Sequence, residues 1–347
     1  MRVYAGVKKV AGAVLLGQKT VTHYSQGAMG EDLANKLGLA CRMLTAPPLD
    51  LAGGAKLAAS LAADGNAEAA YVMAALNAVG IEAPQSWRTA LEWLTRAAEG
   101  EYGPARHELA VLAEADAVGR GLSAGEVFAP ETWENLRRAI DVRRWLLPPP
   151  PRAIQAGLPI AVVQSFISPA AAAWLVERAR PNCRRAQIDD PATGQAQYAA
   201  ARTNSYAEFP LPESGVMLHL LRARIAACAR IPERTLEASS VLHYLPGEEF
   251  RPHYDFGDPA EPGYAQQVSD YGQRVLTFLI YLNEGFDGGE TDFPLLSWRH
   301  KGKAGDALLF RNVLASGEPD RRMLHAGLPP LTGEKWLFSQ WARSRSF

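Results

Sequence analysis

The chain changes its hydrophobic rhythm near the middle. From about residue 50 to 125 it is rich in alanine. Stretches such as AKLAASLAADG and ALEWLTRAAEG place apolar residues at the spacing of an amphipathic helix and stop at glycine. These two segments lie 35 residues apart, and the stretches that follow them, 69–76 and 105–112, lie 36 apart, with Met73 matching Leu109 and Ala74 matching Ala110. A period of that length predicts helix pairs that stack, since one pair cannot bury its apolar face alone. Residues 1–45 show no sustained period and read as a poorly defined leader, and 46–125 as the helical-repeat region. Residues 126–157 read as a linker containing the tetraproline 148–151, which cannot continue a helix and runs stiff and extended.

Beyond residue 158 the pattern turns to strands. Leu158 to Phe166 predicts a strand, Ser168-Pro169 opens a helix through Arg180 with serine as cap and proline in the first turn, and a second helix is expected from Ser214 to Ala229. Four β-type runs follow, at 239–245, 274–283, 306–312 and 335–343, separated by turns bearing glycine and proline. The expected fold class is therefore α+β: an all-β sandwich or jelly roll with flanking helices over 158–347, preceded by a small all-α repeat region.

Composition narrows the function. Lysine and arginine number 36 against 37 aspartate and glutamate, so nothing points to nucleic acid or to an anionic membrane surface. No apolar run reaches the roughly 18 residues of a membrane span. Lys8-Lys9 followed by residues 10–16 is interrupted by Gln18 and Lys19 before any small-residue cleavage site, so no signal peptide is expected. Cys41, Cys183 and Cys228 are scattered without a CxxC pair, which argues for a reducing, cytoplasmic setting without a disulfide framework.

The candidate chemistry lies in the second half. In Arg251-Pro252-His253-Tyr254-Asp255, histidine and aspartate two apart project from one face of an extended chain, as two ligands of one ion must. A third candidate, His325, completes the two-histidine, one-carboxylate set that leaves positions open on non-haem iron(II). Ten residues later Lys335 falls in a predicted strand, where a buried ammonium needs a counter-charge such as the far carboxylate of a chelated dicarboxylate. Of the other histidines, His23, His107 and His219 read as structural or solvated, His243 as pointing to the opposite strand face, and His300 as solvated in a basic loop.

Three motifs in order, VLHYLPGEEFRPHYDF, GQRVLTFLIYLNEGFDGGETDFP and HAGLPPLTGEKWLFSQWAR, make residues 158–345 resemble the catalytic domain of the prolyl 4-hydroxylase family. That resemblance implies a double-stranded β-helix using iron(II), 2-oxoglutarate, dioxygen and L-ascorbate as reductant. It also implies His253, Asp255 and His325 as iron ligands and Lys335 as the oxo-acid anchor. Tyr244 and Thr291 match positions that bind the 2-oxoglutarate carboxylates, and Arg202, Arg274 and Trp341 match positions facing the peptide groove. The family often carries tyrosine three residues before its first iron-binding histidine, where this chain has Phe250, which leaves the substrate rim open. The helical half resembles Sel-like repeats, relatives of the tetratricopeptide family, whose surfaces bind protein partners.

The substrate expected is a prolyl residue of a peptide or protein. Two alternatives stand beside it: the same chemistry on a free amino acid or another side chain, and a non-catalytic iron- or ligand-binding protein whose repeats recruit a partner. On this reading, deleting residues 1–145 should leave uncoupled 2-oxoglutarate turnover intact.

Overall fold

The computed structural model describes residues 28–346 and divides into two compact units: the residues up to Leu146 together with Pro210–Ala223, and Leu147–Phe209 together with Arg224–Phe347. The apolar stretch after Lys8-Lys9, and His23, lie outside the described residues.

In the first unit, helices Leu51–Ala63 and Ala67–Val79 recur 36 residues later as Trp87–Glu99 and Gly103–Leu112. Their starts are written in the sequence. The side chains of Asp50, Asn66 and Ser86 each accept a hydrogen bond from the backbone N–H three residues on, and Pro104 sits in the first turn of the fourth helix. Gly80 ends the second helix in the left-handed conformation at φ 87°, where a Cβ would press on the backbone of Gln85. Alanines 58, 69, 74, 75, 78, 90 and 97 are fully buried, so the helices approach closely through small side chains.

Two sequence boundaries move. Part of the expected leader forms helix Ala28–Thr45, which buries Leu37, Ala40 and Leu44 against Leu51–Ala63; spacings of three and four residues within a polar stretch had hidden that face. Within the expected linker, helices Glu131–Ala139 and Val142–Leu146 bury Trp133, Leu136 and Trp145, and the Trp145 indole N–H donates to the Leu112 carbonyl at 3.2 Å. A few large anchors hold these short helices, too few to make a period.

The segment 210–223 joins this unit through a buried carboxylate. Glu108 is 0% exposed; it accepts hydrogen bonds from the Tyr71 hydroxyl at 2.7 Å and from the backbone N–H groups of Val216 and Met217 at 2.6 and 2.7 Å. Those N–H groups open helix Met217–Ala229, where a negative charge is favoured by the helix dipole.

The second unit is built on two antiparallel sheets. The larger runs in the order Arg152–Ala153, Ile160–Val163, Ala307–Arg311, Arg274–Tyr281, Lys335–Arg343, Ser240–Tyr244, Ser205–Glu208, Arg184–Arg185. The smaller runs Trp298–His300, Thr291–Phe293, His325–Gly327, Phe250–His253. Leu242, Leu279, Tyr281, Leu308 and Leu337 of the larger sheet form one core with Phe293 of the smaller, which is the two-layer packing of the expected jelly roll. The other face of the larger sheet is also covered: Val241, Phe278, Ile280 and Phe338 are fully buried, and Phe166, just before helix Pro169–Ala179, packs on Phe278 at 4.9 Å between ring centroids. Among the described residues no helix is long and apolar enough to cross a membrane.

Candidate active site

Strand parity builds the cavity. On Lys335–Arg343 the residues Lys335, Leu337, Ser339 and Trp341 line one pocket while Trp336 and Phe338 face away. On the neighbouring strands Tyr244 and Leu242, and Thr277 and Leu279, supply the rest of that wall. The facing wall comes from the smaller sheet, where His253 and His325 are direct cross-strand partners.

The three expected donors converge. His253 Nε2 lies 3.6 Å from Asp255 Oδ1, His325 Nε2 lies 3.5 Å from Asp255 Oδ2, and the candidate ligand atoms all lie within 4.8 Å of one another. Each imidazole is oriented from behind: His253 Nδ1 is 2.8 Å from the Arg251 carbonyl and His325 Nδ1 is 3.0 Å from that of Met323. Those carbonyls only accept, so both Nδ1 atoms carry a proton and Nε2 is the ring nitrogen each histidine turns toward the shared centre. Burial pushes the Asp255 carboxyl up, but the His325 and His253 imidazoles and the Thr277 hydroxyl outweigh it and hold the group well below the usual carboxylate range. Burial, with His253 nearby, lowers His325 to about 4, so the ring is neutral and able to ligate at neutral pH.

Deeper in the cavity Lys335 is 0% exposed, and its ammonium has no hydrogen-bond partner among the described residues. Burial lowers its pKa to about 7, with Glu290 acting in the opposite direction. Its Nζ stands 4.8 Å from the centroid of the Tyr244 ring, and burial raises the Tyr244 phenol to about 12, so that group remains an O–H donor. Thr291 is 2% exposed and its hydroxyl lies 2.8 Å from that of Tyr281. Tyr281 donates to the His300 carbonyl at 2.9 Å, so Thr291 is the donor of the pair. Gly289, at φ 68°, brings the chain to Thr291 where a Cβ would meet the Phe286 ring at 2.9 Å and the Lys335 stem at 3.3 Å.

The three residues expected at the peptide groove separate. Arg202 and Trp341 line the cavity. The Arg202 guanidinium lies over Phe250 at 4.6 Å, and Phe250 in turn stacks on His253 with centroids 3.4 Å apart. Arg274 is not among the lining residues; it donates from Nε and Nη2 to Glu237 at 2.7 and 3.0 Å and lies 3.8 Å over the Trp341 ring. His243 stacks on Trp336, on the face away from the cavity, as the sequence parity required. His219 is structural, its Nε2 2.8 Å from the Ser214 hydroxyl. His300 is not a solvated loop residue: it ends a strand, and its Nε2 is buried because the ring stacks on Trp298.

Thr277, Asn312, Glu237 and Tyr281 escaped the sequence reading. Only Thr277 left a local sign, as the one hydroxyl inside the otherwise apolar run VLTFLI.

Two imidazoles, one carboxylate and a buried ammonium without a hydrogen-bond partner among the described residues fit a facial iron(II) site with a chelating dicarboxylate beside it. Residues 239–343 match the profile of the 2OG-Fe(II) oxygenase superfamily. Prolyl 4-hydroxylase 1 of Arabidopsis thaliana is 30% identical over 238 residues, covering 61% of this chain and 82% of its own length. Prolyl 4-hydroxylase subunit alpha-1 of Homo sapiens is 32% identical over 180 residues, and the chain spans 33% of that subunit's length. Among solved structures, the 2OG complex of the viral collagen prolyl hydroxylase vCPH from Paramecium Bursaria Chlorella virus-1 aligns over 56% of this chain and 100% of its own, at 25% identity and a TM-score of 0.42. The chain belongs to the prolyl 4-hydroxylase family of iron(II)- and 2-oxoglutarate-dependent dioxygenases.

Proposed function

We propose that the protein hydroxylates a prolyl residue in a peptide or protein, with His253, Asp255 and His325 holding iron(II) and Lys335 holding the far carboxylate of 2-oxoglutarate. The observation that carries this reading is Lys335: a wholly buried amine without a hydrogen-bond partner among the described residues, in the same cavity as three converging metal donors. The substrate class is drawn from the relatives, several of which are prolyl 4-hydroxylases.

Bound iron(II), with 2-oxoglutarate and dioxygen, supplies the oxidising power: one oxygen atom enters the substrate C–H bond as hydroxyl, the other enters succinate, and carbon dioxide leaves. The chain's own groups bind and exclude. Lys335 must be protonated to pair with a carboxylate, so binding a dianion beside it draws a proton onto an amine whose resting pKa is about 7. The Tyr244 phenol and the Thr291 hydroxyl are donors for the same carboxylate, Thr291 by turning its proton away from Tyr281. Leu242, Leu279 and Leu337 shield that ion pair from water and so strengthen it. Arg202 and Trp341 supply a guanidinium and an indole to a peptide backbone entering the cavity. Ascorbate, as external reductant, would rescue enzyme oxidised in turnovers without substrate. The helical unit offers a surface for a protein substrate or partner.

Mass spectrometry of a proline-containing peptide library incubated with enzyme, iron(II), 2-oxoglutarate and ascorbate tests the reading. A gain of one oxygen on proline, with one succinate formed per oxygen, is the expected result. Oxidation confined to other residues or to free amino acids would overturn the substrate class while leaving the dioxygenase chemistry in place.

A further inference from the structure

We propose that Thr277 and Asn312 are positioning residues that fix the rotamer of Asp255 and leave Oδ1 as the oxygen presented to the metal. The proposal rests on the assignment of Asp255 as a metal ligand. The Thr277 hydroxyl donates to Asp255 Oδ2 at 2.6 Å and accepts from Asn312 Nδ2 at 3.0 Å. The direction follows from the groups themselves. An amide nitrogen only donates, so the single proton of Thr277 is left for the carboxylate. The reverse orientation of the Asn312 amide would set its oxygen and the carboxylate in competition for that one proton.

The arrangement places two polar side chains behind one buried carboxylate. Thr277 and Asn312 are each 1% exposed, and the strand partner of Thr277, Phe310, is 0% exposed, so both polar side chains are held in an interior where each must find a hydrogen-bond partner. Asn312 Oδ1 is buried with no partner among the described residues, a desolvation cost retained although an apolar side chain would remove it. The relay is anchored from outside the cavity: the Asn312 N–H donates to the Val275 carbonyl at 2.9 Å, and its own carbonyl accepts from Asp320 at 3.0 Å. A short bond from the hydroxyl therefore takes up a lone pair of Oδ2, which also lies 3.5 Å from His325 Nε2, whereas Oδ1, 3.6 Å from His253 Nε2, receives no bond from the relay and is the freer of the two oxygens.

The test is Co(II) titration of metal-stripped protein followed by visible absorption, with the urea midpoint of each apoprotein verifying the fold. Thr277→Val keeps the shape and removes the hydroxyl. It should weaken Co(II) binding by ~10–100-fold and shift the cobalt bands, and Thr277→Ser should restore both. Asn312→Leu should weaken binding in the wild-type background and add nothing to Thr277→Val, because its effect passes through the hydroxyl. Wild-type affinity and spectrum in Thr277→Val, or an equal penalty from Asn312→Leu in both backgrounds, would overturn the relay. Asp255→Ala separates the two levels: Co(II) affinity unchanged in that variant refutes the metal assignment itself, whereas loss there with none in Thr277→Val refutes only the relay.

Discussion

Lys335 stands where a protein of ordinary stability would place leucine or methionine. An amine with 0% exposure and no hydrogen-bond partner among the described residues costs the ligand-free fold. Its folded pKa of about 7 lies below the ~10.4 of a solvated lysine, so between those values the unfolded chain binds the extra proton. Stability should therefore rise with pH across that window, level off above about 10.4, and be lowest, in this contribution, below pH 7. Lys335→Met should remove the slope and raise the urea midpoint of the apoprotein near pH 7, by about 1 kcal/mol or more. The same substitution should weaken 2-oxoglutarate binding by about 100-fold, through loss of a charge-assisted bond. An unchanged slope between pH 7 and 10 would show that this amine is solvated. Unchanged 2-oxoglutarate affinity would show that it is not the anchor. Lys335 could be singled out from its sequence position, ten residues past His325 in a strand; its isolation could not, because that depends on which groups other strands fail to bring.

At the scale of elements, the helical unit and the segment 210–223 fold together, which bears on what a truncation does. Glu108 satisfies the two N–H groups that open helix Met217–Ala229, and Val216, Met217, Leu220 and Leu221 are 0% exposed. Removing residues 1–145 would strip that carboxylate and the rest of the compact unit to which Pro210–Ala223 belongs, so the truncated chain should lose its fold and its uncoupled 2-oxoglutarate turnover. This reverses the expectation drawn from the sequence. Within the full chain, Glu108→Ala should destabilise by about 3 kcal/mol, read as a lower urea midpoint. A truncation that retains a cooperative melt and turnover would contradict this coupling. The coupling was invisible in the sequence because its partners are 108 and 109 residues apart and no local period connects them. The strands were legible where burial alternates or is continuous over several residues: Lys335–Arg343 appears with the bounds its pattern predicted. Short helices pinned by a single tryptophan, such as Val142–Leu146, were not.

Across the whole molecule, chemistry was more legible than context. The HxD spacing, a second histidine and a lysine are all side-chain types that announce a charge or a lone pair, and strand parity brings them to one cavity. What the sequence left open was the supporting structure: the Arg274–Glu237 pair under Trp341, the Phe250 ring between Arg202 and His253, and the Thr277–Asn312 relay. Each joins residues from separate strands or turns, so each is a property of the packed fold. With 36 basic and 37 acidic residues the molecule has little net field to steer a charged substrate, and recognition falls to this local architecture. The most direct test is an anomalous-diffraction map of crystals grown with Mn(II) and 2-oxoglutarate without oxygen. The metal peak should lie between His253 Nε2, Asp255 Oδ1 and His325 Nε2, with the distal carboxylate on Lys335 Nζ; a peak elsewhere, or an oxo-acid turned away from Lys335, would contradict the assignment.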